Sequence, residues 1–100
     1  MVLVSYPVVP DASKQQYDHV AKPSPSFAGN PALVGLGAVI RAERQAQGLS
    51  QEALADKANI DRSYMGGIER GEHNIAIMNL LKIADALGMK ASSLLSKAGN

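Results

Sequence analysis

Few side chains in this sequence have the type and spacing to carry chemistry, and most of those are suited to binding rather than reacting. His19 and His73 lie far apart, with neither a cysteine nor a carboxylate at ligand spacing. They make no metal site and read as surface histidines. Glu52 and Asp56 stand four residues apart. On one helix face that spacing is a like-charge repulsion of ~0.2–0.5 kcal/mol, not an acid–base dyad. No nucleophile stands beside a base, so neither catalytic residues nor a cofactor are expected. What remains are residues suited to binding, such as the polar pair Ser50-Gln51. Ser50 and Gln51 fall at the start of a helix, where unsatisfied N–H groups and the helix dipole favour an anion.

The elements that must position these residues are short helices. Asn30-Pro31 is an N-cap followed by proline at the first helical position, where its missing donor costs nothing. Leu33, Leu36, Ile40 and Arg44 then repeat at helical spacing, and Gly48 ends the segment. Ser50 caps a second helix, with Leu49 and Leu54 as a hydrophobic staple and Leu54, Ala55 and Ala58 on the buried side. Asp61 caps a third, stapled by Ile60 and Met65; Met65 and Ile68 face inward and Gly71 stops it. A fourth runs from about Ile77 to Leu87, with Leu80, Ile83, Ala84 and Leu87 on one face and Gly88 as terminator. A short fifth, near Ala91 to Lys97, contributes Leu94 and Leu95. Met65, Met78 and Met89 read as core. No strand pattern follows Asn30, so this part is all-α and near the lower size limit for a self-supporting core.

The start of the chain is of another character. All five prolines and three of the four aromatics fall within the first 31 residues. Val2 to Val9 suits a short edge strand, and Lys22 to Ser26 an extended linker. Residues 1–30 therefore read as a Pro-rich, non-helical arm, mobile or used as a strand against a second copy or a protein partner. Residues 31–97 read as the helical domain. Ten Lys and Arg against nine Asp and Glu give a net charge of +1, which excludes polybasic binding of polyanions but not a few well-placed contacts. The lack of cysteine excludes disulfides and thiolate metal sites. The longest apolar run, Ala32 to Ile40, is too short to span a membrane, and the N-terminus lacks the pattern of a secretory signal. A cytoplasmic setting is expected.

The most selective signal lies between Ser50 and Gly71. Two short helices are separated only by Asn59-Ile60. Ala55 sits where crossing helices must approach closely, and Asn59 occupies a turn that requires a left-handed backbone, which asparagine tolerates best after glycine. This is a helix-turn-helix, motif 50–71, whose second helix, 61–70, is of the kind that enters the DNA major groove.

The wider pattern resembles a known family, the lambda-repressor-like, Cro/XRE-type helix-turn-helix regulators of bacteria and phages. The residues that carry the resemblance are Ile40-Arg41, Arg44, Gly48 to Glu52, Leu54-Ala55, Ile60, Arg62 to Met65, Ile68 to Gly71, Asn74, and Leu80 to Gly88. The resemblance implies a five-helix DNA-binding domain, usually a homodimer on a two-fold symmetric operator in double-stranded DNA. Gln51 would clamp a phosphate and brace the recognition helix. Arg62 and Ser63 match positions that reach base edges, where an arginine gripping guanine N7 and O6 is worth ~1–3 kcal/mol of discrimination. Gly67 falls where relatives place another base contact, and Asn74 at a position that commonly touches the backbone. Arg44 and Glu69 match an ion pair that bridges the first and third helices. In some relatives acidic residues on the face of Glu52 and Asp56 touch RNA polymerase; the alternative is a solvated face.

Departures matter too. Gly66-Gly67 sits inside the recognition helix at a cost of ~1 kcal/mol each relative to alanine. With no side chain there, direct readout narrows to Arg62, Ser63 and Tyr64. The glycines then either allow close backbone approach to DNA or leave discrimination weak. The leading expectation is a sequence-specific transcriptional regulator, most often a repressor. The alternative is an antitoxin or adaptor whose residues 1–30 hold a partner protein while the helix-turn-helix binds DNA.

Overall fold

A computed structural model describes residues 27–100, and these form five α-helices with no strand among them. The helices are α1 (Pro31–Ala46), α2 (Gln51–Ala58), α3 (Arg62–Glu69), α4 (Ile77–Ala86) and α5 (Ala91–Lys97). The strand and linker expected before residue 27 lie outside the described residues. The last residues of the arm are tied down: the Asn30 N–H donates to Phe27 O at 2.9 Å, and the Gly29 N–H to Gly71 O at 3.1 Å.

The helix starts follow from short-range hydrogen bonding. Asn30 Oδ1 accepts from the Ala32 N–H at 2.9 Å, with Pro31 just inside the helix. Ser50 Oγ accepts from the Ala53 N–H at 3.0 Å. Asp61 Oδ2 accepts from both Ser63 and Tyr64 N–H groups, at 3.0 and 3.2 Å. Each cap satisfies donors the helix cannot, worth ~1 kcal/mol apiece. Between α2 and α3, Asn59 adopts φ 56° and ψ 50°, the left-handed conformation its place in the turn requires.

Around a single core, α1 packs on α3 and α5, α2 on α3 and α4, and α4 on α5. Ile40, Leu54, Met65, Ile83 and Leu94 are fully buried at its centre, one from each helix. Full burial of such a side chain contributes ~1.5–3 kcal/mol. Ala55 is buried at the crossing of the two motif helices. The crossing of α1 and α3 is closer still. A Cβ at Gly37 would collide with Ile68 O and stand 2.6 Å from Glu69 O. Only glycine lets α3 seat so deeply against α1, and the buried Arg44–Glu69 contact depends on that seating.

Two expectations are corrected here. Met78 is 62% exposed, because α4 turns Leu80 and Ile83 inward and its neighbour Met78 outward. His73 is no surface histidine. It is 7% exposed, its ring folded back onto α3.

Candidate nucleic-acid interface

A chain of polar contacts runs from the core to the surface along α3. At its inner end Arg44 of α1 grips Glu69 with two donors: Nε to Oε2 at 2.7 Å and Nη2 to Oε1 at 3.0 Å. The third guanidinium nitrogen, Nη1, donates to Leu49 O at 2.8 Å. The pair is dry, with side-chain exposures of 9% and 1%. Glu69 strengthens the Arg44 hold on its proton by hydrogen bonding, against the opposing effect of burial. Glu69 Oε1 also accepts from Gln51 Nε2 at 2.9 Å. Gln51 Oε1, fixed in turn, accepts from Arg62 Nη1 at 3.2 Å. Three donors on one buried carboxylate thus orient an amide, and the amide orients an exposed arginine. No buried side-chain nitrogen or oxygen among the described residues lacks a partner.

The polar residues singled out in the sequence fall into three places. Gln51, at the first position of α2, meets Arg62, at the first position of α3, and Ser50 and Ser63 adjoin them in the chain, with Ser50 and Arg62 exposed and Gln51 and Ser63 half-buried. Asn74 is exposed in the loop that follows α3. Glu52 and Asp56 are exposed on α2.

Tyr64 and Gly67 are placed differently from a bare reading face. Tyr64 is half-buried, its ring 4.7 Å from that of His73, and its hydroxyl accepts from Asn79 Nδ2 of α4 at 3.4 Å. Gly67 is buried, and the His73 imidazole lies where a side chain at 67 would go. Gly66 is covered as well: a Cβ there would stand 3.1 Å from Arg70 Nη1 and 3.5 Å from Gln51 Oε1. The two glycines are therefore not bare backbone. Their space is taken by Arg70 and His73, which follow them in the chain.

Arg70 and His73 are the residues that sequence reasoning undervalued at this site. Arg70 is exposed and makes a two-pronged pair with Glu72, Nε to Oε2 at 2.8 Å and Nη2 to Oε1 at 3.2 Å. That bond holds the Glu72 carboxyl below its usual range and raises Arg70. Burial pushes the His73 imidazole below its ordinary value; nearby Arg70 acts the same way and Glu72 against it. The glycine pair was the available signal, since a gap in a helix face invites a neighbour to fill it.

Residues 40–94, more than half the chain, match the helix-turn-helix family. The chain belongs to that family, in its lambda-repressor-like, Cro/XRE-type branch. Over 62 residues it is 39% identical to the immunity repressor protein of Bacillus phage phi105, a match covering 62% of this chain and 43% of that protein. The chain thus spans less than half the length of that relative. Among solved structures it is similar to the restriction-modification controller protein C.AhdI from Aeromonas hydrophila. Identity there is 48% and the TM-score 0.61, over 62% of this chain and 94% of the other. SinR, a master regulator for biofilm formation solved in complex with DNA, matches at 34% identity and TM-score 0.58, over 60% of this chain and 97% of the other. The five-helix, all-α fold is that of the family.

Proposed function

We propose that this protein is a sequence-specific DNA-binding transcriptional regulator, a repressor that acts as a homodimer on a two-fold symmetric operator. The observation that carries the reading is the relay from Arg44 through Glu69 and Gln51 to Arg62. It holds an arginine at the exposed N-terminus of a helix, where that guanidinium can meet guanine N7 and O6 in the major groove. Ser50 and the N-terminus of α2, with Asn74 beyond α3, would take phosphates and set the register. Ser63, half-buried beside Arg62, would make a second base contact. Tyr64, tied to His73 and Asn79, would shape the reading face, and Gly67 would act through the ring seated on it.

A relative described as an immunity repressor and a structural neighbour bound to DNA support the reading. For the dimer, α4 offers a surface: Ile77 and Met78, each 62% exposed, and Leu81, 44% exposed, stand at helical spacing on its outer side. A second copy seated there would remove three large apolar side chains from water. The acidic residues Glu52 and Asp56, exposed on α2 rather than α4, would be open to a protein contact.

Selection of random duplex DNA on the purified protein tests the proposal. It is expected to enrich an inverted repeat whose half-sites are centred one helical turn apart, ~34 Å. A pool that enriches no sequence would contradict it.

A further inference from the structure

Arg62 and Arg70 stand eight residues apart on one stripe of the recognition helix and its cap, with Gly66 midway between them. Because Gly66 has no side chain, the Arg70 guanidinium lies back along the helix toward Gln51. A single point, the place of a Cβ on Gly66, is 3.1 Å from Arg70 Nη1 and 3.5 Å from Gln51 Oε1. Gln51 Oε1 is also the acceptor for Arg62. Arg62 is thus bonded to that amide oxygen while Arg70 lies on the other side of the Gly66 gap from it, both on the face assigned above to DNA. Just after the helix, Gly71 adopts φ +76° and turns the chain, bringing Glu72 back onto Arg70. The pair is 59% and 30% exposed, so water and other anions reach it.

We propose that Glu72 is a built-in counter-charge that occupies Arg70 in the free protein, and that a DNA phosphate displaces it. This rests on the DNA-binding reading and adds a second cation to it. Carboxylate and phosphate present the same pair of oxygens to a guanidinium, so one can replace the other without moving the arginine. An exposed pair of this kind is held weakly, which makes exchange possible. Glu72 thereby lowers affinity for any duplex while leaving sequence choice to Arg62. It also restrains non-specific binding, since phosphate contacts carry no sequence information.

Titration of the full chain with a selected duplex and a scrambled one, over a range of salt, tests the exchange with Glu72→Gln, Arg70→Ala and the double variant. Glu72→Gln is expected to bind both duplexes about two- to five-fold more tightly. Arg70→Ala is expected to weaken both alike and to flatten the log–log salt slope by about 0.9 per protomer. In the Arg70→Ala background, Glu72→Gln should bring no gain. Arg70 is exposed and Glu72 half-buried, and unchanged melting temperatures verify that each variant folds. If Glu72→Gln tightens binding equally without Arg70, or if Arg70→Ala leaves the salt slope unchanged, the exchange is overturned. If the wild type binds no duplex at all, the DNA-binding reading itself fails.

Discussion

Two arginine–glutamate pairs meet at the C-terminal end of α3, and their geometry is nearly the same. Arg44 meets Glu69 at 2.7 Å and Arg70 meets Glu72 at 2.8 Å, each with a second bond alongside. Their surroundings are opposite: side-chain exposures of 9% and 1% against 59% and 30%. In the dry pair each charge depends on the other, since neither finds water if its partner is lost. In the wet pair either charge can turn to solvent or to a third group. Bond length does not separate the two roles; access to water does. The inner pair ties α3 to α1 in the dry interior, and the outer pair joins the end of α3 to the following loop at the surface.

The largest effect should come from breaking the inner pair. Glu69→Ala strands Arg44 and leaves Gln51 without its acceptor, at a cost of about 3–5 kcal/mol. Thermal or urea unfolding measures this, and a normal melting temperature would remove the distinction between the pairs. Gly37→Ala should approach the same loss by another route, driving a methyl group into the backbone of α3. Overpacking of this kind costs about 1–3 kcal/mol, again read from unfolding. Glu72→Gln, at the wet pair, should shift stability by no more than about 1 kcal/mol.

A pH experiment sharpens the comparison at His73. Burial lowers its folded-state pKa from the ordinary 6.5, so below that pH the unfolded chain binds a proton the folded chain resists. Stability should therefore be full above about pH 6.5 and fall as the pH drops through the depressed folded value. His73→Gln should flatten the profile in that window; an unchanged profile would mean that the ring is not held as described. The smallest expected effect is the salt dependence of wild-type binding. Few of the ten Lys and Arg stand on the face proposed for DNA, so a shallow slope is expected.

Much of the fold could be read in the sequence because its determinants are local. Asn30, Ser50 and Asp61 cap helices through bonds reaching only two or three residues along the chain. Asn59 marks its turn by its own backbone preference. What escaped reading depends on distant surfaces meeting. Gly37 matters only because α3, far along the chain, seats on it. Met78 has the composition of a core residue, and only the packing direction of α4 puts it outside. At the candidate site, the glycine pair was visible as missing side chains, but its occupants were not. His73 fills its part because the turn at Gly71 folds the following loop back over the helix, and Arg70 because its guanidinium lies back along the helix over Gly66.

The central claim is that Arg62, held by the relay through Gln51 and Glu69, reads a base in DNA. Competition between a selected operator and a duplex changed at one guanine per half-site, with wild type and Arg62→Ala, tests it most directly. The wild type should favour the operator by the equivalent of about 1–3 kcal/mol per contact, and Arg62→Ala should lose that preference while keeping its fold. Equal preference in both proteins would contradict the account.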